Sequence, residues 1–399
     1  MGSTKSWILT DVVKRIWLDD FELKPTDLGM PEVPAWSVRK CTLHGGLSDG
    51  VDIIEINNGD LSFSILPTRG MGIWLGKYKS LTLGWGSPVQ GPVHPKYVNL
   101  QDRGGLGWLA GFDEMIVRCG LDSHGPPSKD TIINNMGIRT DVPLTLHGRI
   151  ANLPASRVEI QIMPKDPTEI MVIGEVFESG LFTPQFRLIT KTTTKCASNY
   201  FTITDEILNM KNVEAEMELL YHCNFGPPFL EEGSRLEIPS LLVAPRDARA
   251  AEDSDTYKVY SGPTPGYVEQ VYWFDPLSSP DGQTLAMLQN SNADKAVVVR
   301  FDKRELPTFT QWKNTGALSD GYVTGLEPGT DYPNSKTFER NQGRLVKMGP
   351  GQRYWATITI EVHDTKSGIE KTRNEIAEIQ KTASCTVHKD PLPTLSPLD

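Results

Sequence analysis

Short runs in which apolar and polar residues alternate recur along most of the chain. Residues 51–56 and 61–66 are two such runs, and they are separated by Asn57-Asn58-Gly59-Asp60. An Asn-Gly pair between two alternating runs is the strongest short-range signal of a β-hairpin. The pattern therefore predicts two antiparallel strands joined by a tight turn.

Seven further runs carry the same strand pattern downstream of this hairpin. They lie at residues 158–162, 170–177, 186–194, 200–208, 216–221, 296–301 and 354–362. Short strands at regular spacing, without helices alternating between them, are typical of an antiparallel sandwich or barrel. We therefore expect an all-β fold, with a large antiparallel β-sandwich.

Helical patterns are few and short. Residues 14–21 are weakly amphipathic, and residues 369–382, rich in Glu, Lys, Ile and Ala, form the clearest helix candidate. Residues 390–399 form a proline-rich tail that we expect to be disordered. Residues 82–130 are glycine-rich and weakly patterned, and such long irregular segments usually cover or build a functional site.

These patterns divide the chain into three parts. We expect residues 1–39 to be an N-terminal extension packed on the sandwich. Residues 40–365 would form the sandwich itself, because nothing in this range resembles a linker or an internal repeat. Residues 366–399 would hold the short C-terminal helix and the tail.

Composition supports the β-rich prediction and narrows the partners. The 399 residues include 35 glycines and 29 prolines, which interrupt long helices and favour turns. The net charge of −10 repels phosphate backbones, so we expect no nucleic-acid partner. No stretch approaches the ~18–20 apolar residues of a membrane helix, and the first residues lack the pattern of a secretory signal. We therefore expect no membrane partner.

The cysteines favour a reducing compartment. Their number is odd and no Cys-x-x-Cys pair occurs, which argues against a disulfide framework and against a structural zinc site. We therefore expect a cytoplasmic protein. The five cysteines are Cys41, Cys119, Cys196, Cys223 and Cys385.

Two histidines lie in contexts that suit a binding or catalytic site. His147 precedes Gly148 at the end of a predicted strand, where a glycine lets the chain approach a ligand closely. His222 lies near the end of an apolar strand, and Asn224 shares its face because side chains alternate along a strand. A single histidine in such a position is more often structural than catalytic.

A glutamate and an arginine are the next candidates. Glu327 precedes Pro328-Gly329, and the proline holds the glutamate in an extended conformation. The alternative for Glu327 is a solvated acid in a turn. Arg69 lies in the segment Leu66–Gly72, where the alternative is a surface arginine.

Several other chemistries fit the sequence less well. It contains no Gly-x-Ser-x-Gly elbow, phosphate-binding loop, Gly-x-Gly-x-x-Gly fingerprint or His-Glu-x-x-His motif. A dispersed metal site built from His94, His124, His147 and His222 remains an alternative, because strands can bring distant ligands together. We nevertheless expect no metal ligands and no cofactor.

An ordered set of motifs resembles the galactose mutarotase (aldose 1-epimerase) superfamily. It comprises Leu-His-Gly at 146–148, Tyr-His-Cys-Asn-Phe-Gly at 221–226, Gly-Leu-Glu-Pro-Gly-Thr at 325–330 and a glycine-rich stretch at 343–351. Within that superfamily the chain looks most like an aldose-1-epimerase-like branch. The resemblance covers about residues 40–362, and it implies a sandwich with an open groove on one sheet.

The resemblance also implies roles for individual residues. His222 matches the general acid and Glu327 matches the general base. His147 and Arg69 match sugar-binding residues, to which we add Asn224 and Trp312 as candidate sugar contacts. Mutarotases also use an aspartate before the glutamate. Asp275 is available for that role, but its surroundings match no motif, so we leave the third acid unassigned.

The implied reaction interconverts the anomers of a free aldose or modified sugar by ring opening and reclosure. We expect the acid and the base to face each other across a gap as wide as one sugar ring. The partner would be a small-molecule sugar, and the chain would be a monomer or a homodimer. The alternatives are another sugar transformation in the same groove (isomerase, lyase or hydrolase) or a carbohydrate-binding sandwich without catalysis.

Overall fold

The structure, a computed structural model, describes residues 3–30 and 35–397 and consists mainly of strands. The first thirteen are β1 Lys5–Asp11, β2 Ile16–Trp17, β3 Phe21–Leu23, β4 Ser37–Thr42, β5 Asp52–Asn57, β6 Leu61–Leu66, β7 Gly72–Tyr78, β8 Leu81–Leu83, β9 Ile116–Leu121, β10 Ser128–Ile133, β11 Arg139–Leu144, β12 Arg157–Met163 and β13 Glu169–Ser179.

The remaining strands are β14 Gln185–Lys195, β15 Tyr200–Asn209, β16 Ala215–Phe225, β17 Arg235–Glu237, β18 Ser240–Pro245, β19 Gln270–Pro276, β20 Gln283–Gln289, β21 Ala296–Asp302, β22 Thr308–Asn314, β23 Val323–Gly329, β24 Val346–Met348, β25 Arg353–His363 and β26 Thr386–Val387. The helices are the short α1 Asp102–Gly105, α2 Ala248–Ala251 and α3 Lys336–Asn341, and the longer α4 Lys366–Gln380.

Apart from β10 and β11, which pair with each other, the described strands form two large sheets. Sheet I has ten strands in the order β17-β20-β21-β25-β15-β14-β13-β12-β1-β2. Sheet II has fourteen, with β26-β18-β19-β22-β23-β16-β9-β7-β6-β5-β4-β3 as its main path. Among the described strands, every pair is antiparallel except β18 with β26. The predicted all-β class with large antiparallel sheets is therefore confirmed.

The predicted hairpin joins β5 to β6 and also ties the two sheets together. In its turn, the side-chain amide of Asn58 is fully buried and donates to Thr194 Oγ1 at 2.8 Å and to the Lys195 carbonyl at 2.9 Å. The Asn58 carbonyl accepts from the Ala197 N–H at 2.8 Å. These hydrogen bonds attach the β5–β6 turn of sheet II to the β14–β15 turn of sheet I.

The apolar core lies between the two sheets, and one ion pair crosses it. Arg118 of β9 donates from Nε to Asp205 Oδ2 of β15 at 2.5 Å and from its terminal nitrogen to Oδ1 at 2.9 Å. The hydroxyl of Tyr221 on β16 donates to the same carboxylate at 2.7 Å. Each of the three side chains is at most 2% exposed. The ion pair therefore fixes how sheet II sits on sheet I.

The ends of the described chain differ from the sequence-based expectations. Residues 14–21 form a turn, the short β2 and the start of β3 instead of a helix, because Ile16 and Trp17 pair with β1. The predicted helix is present as α4, whose isoleucines pack on sheet I. In the tail, which was expected to be disordered, Ser396 accepts from Trp273 Nε1 at 2.8 Å.

Apolar packing explains the ordered tail, since Leu395 contacts a buried aromatic cluster; residues 398 and 399 lie outside the described residues. Within the described chain, no helix has both the length and the apolar character required to cross a bilayer.

Asp205→Asn should lower the free energy of unfolding by about 3–5 kcal/mol, because it leaves the buried guanidinium of Arg118 without its counter-charge. Chemical denaturation measures this loss. Asp275→Asn is the matched control, since Asp275 pairs with Lys303 at the surface and such pairs contribute at most about 1 kcal/mol. Equal losses in the two variants would show that the core pair has no special role.

Candidate active site

His222 and Glu327 lie opposite each other on two central strands of sheet II. The register pairs Cys223 with Leu326 and Leu220 with Gly329, which places His222 of β16 directly across from Glu327 of β23. Nε2 of His222 is 3.2 Å from Oε1 of Glu327. The two residues are 5% and 2% exposed. Among the described residues, Oε1 has no well-aligned hydrogen-bond partner.

This contact differs from the ring-wide gap expected from the sequence. Directly opposed residues of an antiparallel pair have neighbouring Cβ atoms, so their side chains meet unless a group separates them. Gly325 leaves room for the contact, because a Cβ at this position would lie 2.2 Å from Glu327 Oε1 and 3.1 Å from His222 Cε1. A sugar would therefore have to approach the pair from one side.

Asn224 orients the imidazole of His222. Its Oδ1 accepts from His222 Nδ1 at 2.6 Å, and its amide nitrogen donates to the carbonyls of Glu114 and His222 at 3.0 and 3.1 Å. Both amide hydrogens are thus engaged, which makes Oδ1 the acceptor and places the proton of His222 on Nδ1. Nε2 is left to face Glu327.

Arg69 lies behind this arrangement and is 1% exposed. Its Nε donates to Glu114 Oε1 at 2.5 Å, and its terminal nitrogens donate to the carbonyls of Val93 and Gly111 at 2.9 and 2.8 Å. These contacts fix the segment that contains Glu114. The backbone carbonyl of Glu114 in turn accepts the hydrogen bond from Asn224. Both side chains thus hydrogen-bond to other groups of the protein. The assignment of Arg69 and Asn224 as sugar contacts, made from the sequence, stays a prediction.

His147 lies beside His222, and their ring centroids are 5.4 Å apart. Its Nδ1 donates to the carbonyl of His124 at 2.9 Å, so Nε2 remains as an acceptor. The backbone here is left-handed, with φ +57° at His147 and +70° at Gly148. A Cβ at Gly148 would lie 2.1 Å from the Ser123 carbonyl, so this turn requires glycine.

Aromatic rings surround the histidines. The centroids of Phe112, Trp312 and Trp108 lie 5.1, 5.3 and 6.3 Å from that of His222. Trp312 is partly exposed, and its Nε1 donates to Glu269 Oε2 at 2.8 Å. Trp108 and Phe112 are buried, so Trp312 is the most exposed of these three rings.

Sequence reasoning missed three residues near the pair. Phe112 belongs to the weakly patterned segment 82–130, and that segment was the one available signal. Glu269 and Arg246 form an ion pair at 3.1 Å and act on Glu327 electrostatically, but no motif marks them. Asp275 instead binds Lys303 at the surface.

Burial drives both members of the pair toward their uncharged forms. It raises the pKa of Glu327 well above its usual range, with the Glu269 charge adding to the rise and Arg246 opposing it. Burial also lowers the pKa of His222 well below its usual range, with His147 adding to the fall and Asn224 opposing it. The pair therefore holds one proton for which Glu327 and His222 compete.

A separate cavity of about 960 Å³ lies beyond the His147 turn. Ser123, Gly148, Arg149, Lys336 and Arg340 are among its lining residues. None of the six site residues predicted from the sequence lines this cavity. The geometry of His222 and Glu327, and not cavity size, therefore identifies the candidate active site.

Residues 48–362 match the model of a protein family described as a domain of unknown function, DUF4432. The chain belongs to this family. Its DUF4432 region contains every candidate site residue. None of the curated proteins compared with the chain matches it.

Solved structures relate the DUF4432 fold to sugar mutarotases. A protein from Klebsiella pneumoniae subsp. pneumoniae MGH 78578, named a candidate aldose 1-epimerase, is 34% identical over 98% of this chain and 99% of its own, with a TM-score of 0.92.

Two more distant structures share the fold. A galactose mutarotase-like protein from Clostridium acetobutylicum is 14% identical, covers 87% of this chain and 99% of its own, and has a TM-score of 0.56. A candidate aldose 1-epimerase from Escherichia coli K12 is 13% identical, covers 79% and 99%, and has a TM-score of 0.52. The resemblance to mutarotase-like proteins found in the sequence is thus confirmed.

His147 should make the stability of this DUF4432 protein sensitive to acid. Burial lowers its pKa to about 4, whereas an unfolded histidine titrates near ~6.5. Between these values the unfolded chain binds a proton that the folded chain does not, so acidification favours unfolding. His147→Asn, which tolerates the left-handed backbone, should lose less unfolding free energy than the wild type between pH 7 and 5. Equal losses in denaturant titrations would contradict this assignment.

Proposed function

We propose that the chain is a carbohydrate-active isomerase that interconverts the anomers of a free aldose or modified aldose. The observation that carries this proposal is the contact between His222 Nε2 and Glu327 Oε1 at 3.2 Å in a buried, aromatic-lined site. The names of the structurally similar proteins support the same class of reaction. The chemistry transfers protons between oxygen atoms, for which a carboxylate and an imidazole suffice.

The proposed reaction transfers two protons in each direction, and one C–O bond breaks on ring opening and forms on reclosure. Glu327 accepts the proton of the anomeric hydroxyl while His222 donates a proton from Nε2 to the ring oxygen. The bond between C1 and the ring oxygen breaks, and C1 becomes an aldehyde. After rotation about the neighbouring C–C bond, the reverse transfers close the ring on the other face.

Contact between acid and base fits this chemistry. The anomeric hydroxyl oxygen and the ring oxygen are separated by a single carbon atom, so both can reach two adjacent protein groups from the same side. The transfers leave Glu327 protonated and His222 neutral, which is the state that burial favours. In the proposed reaction, the pair is in this protonation state while the open-chain sugar is bound.

The neighbouring residues would then hold the sugar and the acid in place. His147 offers Nε2 as an acceptor for a sugar hydroxyl, and Trp312 offers a partly exposed ring for stacking. Arg69 and Asn224 are best explained as positioning residues. Asn224 bonds His222 directly, Arg69 acts on Asn224 through Glu114, and these contacts leave little for a ligand.

Glu327→Gln and His222→Asn should each lower anomer exchange by ~10²-fold or more, because each removes one proton-transfer group. Magnetisation-exchange NMR of free aldoses, deoxysugars and acidic sugars measures the rate, and ligand-observed NMR checks that sugar binding persists. Glu305→Gln is the control: this partly buried glutamate binds the Thr357 N–H in sheet I, away from the site. Near-normal exchange in Glu327→Gln would contradict the proposal. Sugar binding without exchange in the wild type would favour the binding-only alternative.

Gly325→Ala should lower exchange by ~10²-fold without loss of folding, because a catalytic group displaced by ~1 Å can lose that much rate. The added Cβ would collide with the Glu327 carboxylate. Gly316→Ala is the matched control, since its Cβ would meet its nearest neighbour at 3.8 Å. Thermal melting separates misplacement from misfolding, and unchanged exchange in Gly325→Ala would show that the contact with His222 is dispensable.

A further inference from the structure

A second buried cluster lies near the candidate active site, with one member on β16 and the other two just beyond the ends of β9 and β23. It consists of His124, Glu218 and Asp331, each 0% exposed, with one potential ligand atom per residue lying within 4.8 Å of the others. Glu218 precedes His222 by four residues on β16, and Asp331 follows Glu327 by four residues. Side chains alternate along strands, so Glu218 shares the outward face of β16 with His222.

The cluster has more acceptors than donors. His124 Nε2 is 2.5 Å from Asp331 Oδ1, and Thr330 Oγ1 donates to the same oxygen at 3.0 Å. Both carboxylate oxygens of Glu218, Oδ2 of Asp331 and Nδ1 of His124 have no hydrogen-bond partner in the part of the chain that the structure describes. Buried carboxylates without partners are costly, so this site requires added positive charge.

The nearest cationic side chains do not supply it. Lys336 Nζ binds the Asp122 carboxylate at 2.7 Å, and Arg344 binds Glu339 at 2.5 Å. Each acts on the cluster only from a distance. The two carboxylates of Glu218 and Asp331 must therefore share protons or a bound cation.

We propose that His124, Glu218 and Asp331 bind one divalent transition-metal cation, of the Zn²⁺ or Mn²⁺ type. One imidazole nitrogen with two carboxylates is a donor set that such cations accept, and two carboxylates balance the charge of a divalent ion. The cation takes the place of the proton between His124 Nε2 and Asp331 Oδ1, and these atoms move apart to reach metal–ligand distances. The sequence had grouped His124 with other histidines, but the structure groups it with acids.

The bound cation would act on structure and not on the reacting bond. The carbonyl of His124 accepts from His147 Nδ1 at 2.9 Å, so a cation that fixes His124 also fixes His147. All three ligands are fully buried, so a substrate would not reach the ion, and a water molecule would take the fourth position of a tetrahedral shell. The inference does not rest on the proposed function.

Metal analysis of the full chain, produced without a histidine tag in medium containing Zn²⁺ and Mn²⁺, tests the site. We expect about one metal ion per chain and a lower melting temperature after refolding with chelator, restored by adding Zn²⁺ or Mn²⁺. The metal content of Glu218→Gln should be at least ~10-fold lower than that of the wild type, since loss of a ligand weakens binding strongly. Glu178→Gln should keep it, because this glutamate is equally internal but lies outside the cluster.

Three results would overturn the inference. One is a wild-type chain that carries no stoichiometric metal and takes up neither ion on refolding, which would leave a proton-bridged cluster. Another is an unchanged metal content in Glu218→Gln. The third is an anomalous-scattering peak that lies away from the three side chains in wild-type crystals. This measurement locates the ion even if the Glu218→Gln variant does not fold. Anomer exchange enters none of these measurements, so failure here is distinct from failure of the proposed function.

Discussion

The buried ion pair between Arg118 and Asp205 is the contact on which the arrangement of the site depends. It joins the two sheets and also engages the hydroxyl of Tyr221, the residue next to His222 on β16. Successive side chains of a strand point to opposite faces, so a strand that directs Tyr221 inward must direct His222 outward. A shift by one residue would bury the histidine in the core and expose the tyrosine. The polar pair thus selects the register that creates the site.

The regular part of the fold could be read from the sequence because alternation reports directly on strands with one face in the core. The hairpin at Asn57–Asp60 and the run that became β15 illustrate this. The short β2 and the ordered tail could not be predicted in this way. Their order comes from pairing with β1 and from the packing of Leu395 on distant aromatic residues, contacts that no local pattern encodes.

The candidate site likewise has features that could be predicted from local motifs and features that depend on the fold. His147, His222 and Glu327 could be named because short motifs surround them, and the structure places the two histidines and the glutamate together. The direct contact between acid and base could not be predicted, since it depends on the register of β16 against β23 and on the missing side chain at Gly325. The acids around His124 were also hidden, because their significance arises only from the loss of water around them. Glu269 was hidden because only the fold brings its charge near Glu327.

Two buried titratable clusters share β16, because Glu218 and His222 lie four residues apart on the same face of this strand. Charges interact strongly across low-dielectric packing, so a net charge on Glu218 and Asp331 would act on the proton shared by His222 and Glu327. A cation balanced by Glu218 and Asp331 would leave little net charge to disturb the proton shared by His222 and Glu327. Unbalanced carboxylates would instead favour the charged imidazole at His222. Neutralising the cluster would therefore leave the protonation of His222 and Glu327 to their own surroundings, in which burial favours the uncharged form of each group.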